Sequence, residues 1–201
     1  TFEQCVQYLN ELREKESVGF DIEVTGAQEV SCISFAISRD SAISIPFTSR
    51  SQHYFSPDQE AFLWNLIGII LEDETIEKIT HNGMFDASFL YAKYGIKTHN
   101  LHDTMVAVRL IWPSGGEGRM LVTGERKQGF PASLAFVTSI YTLLPYYKDD
   151  GKEAWKEGAK VDEDQFWLYN AKDSIVLMEA FPKMRRELEI LGDWETYDNQ
   201  R

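Results

Sequence analysis

Val18-Gly19-Phe20-Asp21-Ile22-Glu23-Val24 reads as a short buried strand carrying two carboxylates two residues apart. On a strand, residues i and i+2 leave the same face, so Asp21 and Glu23 stand side by side. Like charges that close disfavour joint ionisation unless a cation sits between them. A metal is the natural inference, and the rest of the chain decides whether other acids can reach the pair.

On the N-terminal side, Phe2, Val6, Leu9 and Leu12 fall at helical spacing within residues 2–15, which predicts an opening amphipathic helix. On the C-terminal side two more strand-like segments follow. These are 30–37, with Ile33, Phe35 and Ile37 on one face, and 41–47, with Ile43, Ile45 and Phe47 alternating in the same way. The short connections, Thr25 to Glu29 and Arg39-Asp40, predict an antiparallel meander in which the first two strands are neighbours. Ser56-Pro57-Asp58-Gln59 is a capping-box pattern with proline at the first helical position, and Phe62, Leu63, Leu66, Ile67 and Ile70 supply an apolar face, predicting a helix over 57–72. Ile76 to Thr80 reads as a short buried strand between that helix and another from Phe85 to Tyr94. This alternation makes the later part of the sheet parallel to an earlier strand. Asp103 is placed to cap a helix over 104–112, which Pro113 ends.

Gly115, Gly116, Gly118, Gly124 and Gly129 lie between Pro113 and Pro131, so this stretch cannot be regular throughout. It contains neither GxGxxG nor a GK[ST] phosphate loop. With Arg119, Arg126 and Lys127 it is open to two readings, a substrate-contacting flap or a plain mobile loop. Leu134, Val137, Ile140 and Tyr141 mark a further helix, and 145–160 is a polar stretch holding Lys148, Lys152, Lys156 and Lys160. A long helix is expected from Asp162 to Ala180, broken before Pro182, with a last helix over 183–191 stopped by Gly192.

A chain of 201 residues with 43% apolar content suits a single domain spanning 1–201. The net charge of −12 argues against a broad basic surface that neutralises phosphates, so a nucleic-acid ligand would need divalent cations and a few local Lys or Arg residues. No apolar run approaches the roughly eighteen residues of a membrane span. Glu3, Glu11, Glu14 and Glu16 make the N-terminus unlike a signal peptide. Cys5 and Cys32 lack metal-type spacing and read as reduced core thiols, which fits a cytoplasmic protein. The start at Thr1, without methionine, points to processing or to a piece of something longer.

Three acidic sites stand out because their neighbours are apolar. Beside Asp21 and Glu23 there is Asp86, which follows His81-Asn82-Gly83-Met84-Phe85 where a strand passes into a helix. The third is Asp173, with Tyr169 one helical turn earlier on the same face. Carboxylates from a strand, a strand–helix junction and a helix can converge on hard cations, which take oxygen ligands and bridge to phosphates. Such a site suits two-metal phosphodiester hydrolysis.

In order and spacing, Asp21-x-Glu23, Asn82-x-x-Phe85-Asp86 and Tyr169-x-x-x-Asp173 resemble the three exonuclease motifs of the DEDD superfamily. The histidine branch of that superfamily places its base five residues before the last aspartate, where this chain has Leu168. The tyrosine branch places it four before, at Tyr169, so the chain is similar to the DEDDy group. Leu101-His102-Asp103-Thr104-Met105, Ser133-Leu134-Ala135 and Tyr146-Tyr147-Lys148-Asp149-Asp150-Gly151-Lys152 further resemble the proofreading domains of family A DNA polymerases, especially those of bacteriophages. The resemblance implies an RNase H-like α/β fold, a mixed five-stranded sheet flanked by helices, and 3′-to-5′ removal of nucleotides from single-stranded or frayed DNA ends. It implies Asp21, Glu23, Asp86 and Asp173 as ligands of two divalent cations, Mg²⁺ or Mn²⁺, and Tyr169 as the group that orients the attacking water. A tyrosine titrating near 10 is a poor base at neutral pH, which favours orientation by hydrogen bonding. Implied partners are a DNA 3′ end and a polymerase domain or replication protein, in a bacterial or phage-infected cytoplasm. No palm or fingers follow Arg201, leaving an excised domain or a free-standing nuclease open.

Substrate contacts are assigned less sharply. His81 and Asn82 would either touch the terminal nucleotide or shape the turn as a hydrogen-bonded pair. Phe85, Tyr146 and Tyr147 are candidates for base stacking; core packing is the preferred reading for Phe85, and the tyrosines stay undecided. Lys148 is either a phosphate contact or a free surface lysine, and Asp103 is a helix cap and not a ligand. Two other functions remain in view: an RNase D-like exoribonuclease, and a noncatalytic nucleic-acid-binding module of a replication protein. The complete acid set argues against the last.

Overall fold

The computed structural model describes residues 1–24, 28–48, 53–113, 132–148 and 162–200. The glycine-rich stretch after Pro113, with Arg119, Arg126 and Lys127, lies outside them, as do Lys152, Lys156 and Lys160. The strands β1 (Ser17–Val24), β2 (Val30–Ser38), β3 (Ser41–Pro46), β4 (Glu77–Thr80) and β5 (Leu101–Asp103) form one sheet in the order β3-β2-β1-β4-β5. β1 is central. It pairs antiparallel with β2, placing Asp21 opposite Ser34 and Glu23 opposite Cys32, and parallel with β4 through Ser17, Val18 and Gly19. β5 extends the parallel half, aligning Asp103 with Thr80. The expected meander and mixed sheet are therefore present. The fifth strand, which only the family resemblance implied, is these three residues beside β4.

Alternation along β1 sends its apolar side chains to one of two cores and leaves Gly19, Asp21 and Glu23 on the other face. Phe20 and Ile22 join Phe35, Ile33, Ile45 and the inner faces of α1 (Phe2–Leu12) and α2 (Pro57–Glu72) on one side of the sheet. On the other side Ile79 meets α4 (Thr104–Ile111), α5 (Leu134–Tyr141) and α6 (Glu163–Leu191). α3 (Gly83–Tyr94) leaves the C-terminal end of β4, and α7 (Trp194–Asp198) follows α6. α7 went unpredicted; a five-residue helix offers little periodicity, and this one is held by Tyr197, whose hydroxyl accepts from the Asp103 backbone N–H at 2.9 Å. No helix among the described residues is long and apolar enough to cross a membrane.

α6 corrects a second expectation. Pro182 lies inside it, and the helix runs on to Leu191 before Gly192 ends it in the left-handed conformation. Interior proline costs about 3 kcal/mol through a lost hydrogen bond and a carbonyl clash. Phe181, Met184 and Leu188 are all buried on either side of it, at roughly 1.5–3 kcal/mol each, and ending the helix would strip them from the core.

Gly19 shares the face of Asp21 and Glu23, and it is what lets α6 cross them closely. A Cβ there would stand 2.7 Å from the Ser174 carbonyl oxygen and 3.2 Å from Met178 Cγ. Gly19→Ala is expected to destabilise the protein by about 1–3 kcal/mol, a fall in melting temperature of roughly 2–4 °C per kcal/mol for a chain this size. An unchanged thermal scan would show that α6 can yield.

Candidate active site

The close approach at Gly19 brings the middle of α6 over the acidic end of β1. Oxygens of Asp21, Glu23 and Asp173 all lie within 4.8 Å of one another. Asp86 is buried on the first turn of α3. It stands outside that group, though its charge raises Asp21 and the Ile22 backbone of β1 opposes the rise at Asp86 itself. β1 and β4 pair only as far as Gly19 and Ile79, so the backbone beyond is free to meet α3.

The start of α3 is set by Asp103. Its Oδ1 accepts from the backbone N–H of Met105 at 2.7 Å, the expected cap of α4. The same carboxylate also accepts from Asn82 N–H at 3.0 Å and Gly83 N–H at 2.9 Å, a second duty the sequence reading missed. Asn82 is left-handed at φ 65°, a conformation Asn tolerates better than most residues. His81 does not pair with Asn82. Its Nδ1 shares a hydrogen bond of 2.9 Å with Thr104 Oγ1, and burial pushes its pKa down to about 4, so the ring is neutral at physiological pH and ties the turn to α4.

Two further readings are corrected. Phe85 is not core: it is 47% exposed, with its ring 6.1 Å from that of Phe89. Both line a cavity of about 550 Å³ with Asn82, Met84 and Ser88. The burial vector of α3 points through Asp86 and Leu90, which turns Phe85 outward. Lys148 is not a free surface lysine. Its Nζ donates to both oxygens of Asp173 at 2.6 and 2.7 Å and to the Tyr169 hydroxyl at 3.1 Å. Tyr147 is buried and donates to Asp173 Oδ1 at 2.6 Å, whereas Tyr146 is exposed. Asn170, passed over in the sequence, donates to Asp21 Oδ2 at 2.9 Å. Its signal was present: Asn170 falls four residues after Phe166 and four before Ser174, on the buried face of α6.

Burial raises all four carboxylates, and the acids raise one another. Asp21 is pushed well above the usual range by burial first and then by Asp173, Glu23 and Asp86. Glu23 is raised to about 8 by burial and by Asp173, against the opposing pull of Lys148. Burial raises Asp86 and Asp173 as well, and Lys148 opposes the rise at Asp173. Tyr169 is raised by burial and by the charge of Asp173; its hydroxyl therefore stays protonated at neutral pH. Clustered carboxylate oxygens are the donor set of hard divalent cations, and the mutual repulsion here is what such a cation would relieve. The three convergent acids fit that group.

Among known proteins, residues 1–189 match the family model described as 3′-5′ exonuclease. DNA polymerase I of Aquifex aeolicus (strain VF5) is 35% identical over 113 residues, which are 56% of this chain and 16% of the polymerase. The chain thus spans a small part of that relative. The catalytic core of RRP6 from Trypanosoma brucei superposes with a TM-score of 0.70 at 15% identity, over 100% of this chain and 48% of that one. Escherichia coli RNase D, an exoribonuclease involved in structured RNA processing, gives 0.66 at 17% identity, over 98% and 46%. Brucella melitensis NrnC with bound Mg²⁺ gives 0.62 at 16% identity, over 92% and 80%. At these identities the likeness speaks for the fold, the RNase H-like arrangement expected from the motifs.

Proposed function

The chain belongs to the 3′-5′ exonuclease family, and from that premise we propose that it removes nucleotides from single-stranded or frayed DNA 3′ ends, as a proofreading domain working with a DNA polymerase. The observation that carries the reading is the convergence of Asp21, Glu23 and Asp173 within 4.8 Å, with Tyr169 one turn before Asp173. The stretch shared with a DNA polymerase I supports DNA over RNA.

Asp21, Glu23 and Asp173, with Asp86 beside them, would hold two divalent cations, Mg²⁺ or Mn²⁺. When bound, such ions make water more acidic and offset charge on a phosphodiester. The Tyr169 hydroxyl, still protonated, orients the attacking water by hydrogen bonding and does not remove its proton. The Lys148 ammonium, beside Tyr169 and Asp173, supplies positive charge for the scissile phosphate where the net charge is otherwise adverse. Tyr147 fixes the Asp173 carboxylate through its hydroxyl. Phe85 and Asn82, which line the neighbouring cavity, receive the terminal base, and His81 holds their turn in place.

Incubation of the protein with a single-stranded DNA oligonucleotide and Mg²⁺ or Mn²⁺ should release nucleoside monophosphates from the 3′ end. Absence of release, or release from the 5′ end, would sink the reading. A second reading, an exoribonuclease, takes its motive from the fold shared with the exoribonuclease RNase D, so matched DNA and RNA oligonucleotides belong in the same assay. Faster cleavage of RNA would replace the DNA assignment. Phe85→Ala is expected to raise KM for the oligonucleotide by about tenfold, since base stacking is worth roughly 1–3 kcal/mol, with kcat little changed. Steady-state kinetics on short oligonucleotides check this, and an unaltered KM removes Phe85 from the binding surface.

A further inference from the structure

Asn170 is fully buried on α6, between Tyr169 and Asp173 in sequence. A buried amide left unsatisfied is costly, and this one is satisfied from three directions. Its Nδ2 donates to Asp21 Oδ2 at 2.9 Å and to the Asp21 backbone carbonyl at 3.3 Å, while its Oδ1 accepts from Ser44 Oγ at 2.8 Å. A backbone carbonyl can only accept, so the nitrogen end must face Asp21 and the oxygen end must face Ser44. The helix backbone at this turn is also pinned to the sheet. Ser34 Oγ donates to the Asn170 carbonyl at 2.8 Å and is bonded in turn to Ser174 Oγ.

The consequence falls on one carboxylate. A single amide nitrogen grips both the main chain and the side chain of Asp21, which restricts rotation of that carboxylate about its Cβ–Cγ bond. Ser44, on β3, keeps the amide from turning over. We infer that Asn170, oriented by Ser44, is the positioning residue that sets the Asp21 carboxylate for cation binding. The assignment rests on the metal-dependent reading above and adds to it a hydrogen-bonded line from the edge strand β3 through α6 to the central strand β1. Partners of this kind behind a ligating carboxylate typically change metal affinity by 10–100-fold when removed. Nothing in the three exonuclease motifs calls for an amide here, because the position falls within the unspecified spacing between Tyr169 and Asp173.

Calorimetric titration of the whole chain with Mn²⁺ tests this, alongside thermal melting and steady-state kinetics. Asn170→Leu keeps similar volume and loses both donors. It should weaken Mn²⁺ binding by about tenfold and lower kcat by a similar factor, leaving KM for the oligonucleotide within about twofold. Ser44→Ala should show the same pattern at about threefold, and Ser44→Thr, which retains a hydroxyl, should restore it. A lower melting temperature with unchanged Mn²⁺ affinity would make Asn170 a determinant of folding only and overturn the inference. If Asn170→Leu does not fold, Ser44→Ala decides: unchanged affinity overturns the inference and weakened affinity supports it. Wild-type protein that binds Mn²⁺ but releases no nucleotide refutes the exonuclease reading, while the affinity comparison still decides the role of Asn170. Wild-type protein that binds no Mn²⁺ refutes both.

Discussion

Asp21→Asn is expected to lower nucleotide release by about a thousandfold or more and, with divalent cations chelated, to raise the melting temperature at pH 8. The loss follows from the position of Asp21 in the group it forms with Glu23 and Asp173. Charge stabilisation by a bound cation is worth several kcal/mol, and each 1.36 kcal/mol is tenfold in rate. The gain follows from the same position. Asp21 is raised by burial and by three neighbouring acids, so at pH 8 the folded state must either carry a disfavoured charge there or take up a proton, a cost that an isosteric amide removes. Asn at this position still offers an oxygen to Asn170 Nδ2, which now reaches Asp21 Oδ2 at 2.9 Å. Function and stability therefore move in opposite directions, as at a site that carries strain for the sake of chemistry. A variant that kept a tenth of wild-type activity, or that melted lower than wild type in chelator at pH 8, would contradict this account.

Much of the architecture was legible because the period of the apolar residues changes cleanly along the chain. β1, β2 and β3 alternate, and α2 carries both its capping box and its apolar stripe, so its observed limits, Pro57–Glu72, match those expected. What was not legible depends on partners far away in sequence. β5 has three residues and exists only through pairing with β4. Pro182 reads locally as a break, but burial of Phe181 and Met184 against the sheet keeps α6 continuous. Phe85 looks like core in a window of apolar residues; the direction in which α3 packs exposes it.

The site divides in the same way. Spacing within each motif was visible, since i+2 on a strand and i+4 on a helix fix a shared face. Their meeting was not visible, because it needs α6 to cross β1 over a residue with no side chain. Gly19 sat inside the opening motif and its role emerged only from the 2.7 Å approach of the Ser174 carbonyl. Lys148 was harder still. It lies 25 residues from Asp173 in sequence, and no periodicity links a lysine in a polar stretch to a carboxylate on a helix.

Chelated protein is expected to melt lower at pH 8 than at pH 6.5, and added Mg²⁺ or Mn²⁺ should raise the melting temperature more at pH 8 than at pH 6.5. Glu23 is raised from 4.5 to about 8, and Asp21 and Asp86 are raised as well. A carboxyl whose folded pKa lies above its unfolded one binds more protons when folded, so its contribution is fully present below about 4.5 and is lost as pH climbs toward 8. His81, held down to about 4 by burial, works in the opposite sense, but its window closes near its ordinary value of 6.5. Lys78, lowered to about 8, acts chiefly above pH 8. Between pH 6.5 and 8 the acids dominate among the shifted groups. Each contributes at most about 2 kcal/mol over that interval, at 1.36 kcal/mol per unit, and partial solvent access reduces the figure for Glu23. The sum corresponds to a fall of about 4 °C or more. Cations reverse it because they bind the ionised carboxylates, and saturation at a hundred times Kd adds about 2.7 kcal/mol. Scanning calorimetry in chelator and in Mg²⁺ at the two pH values measures both effects. A chelated protein that melts equally at pH 6.5 and 8 would mean that the acids share their protons more loosely than their burial and mutual repulsion require, and the case for a cation-demanding cage would fall with it.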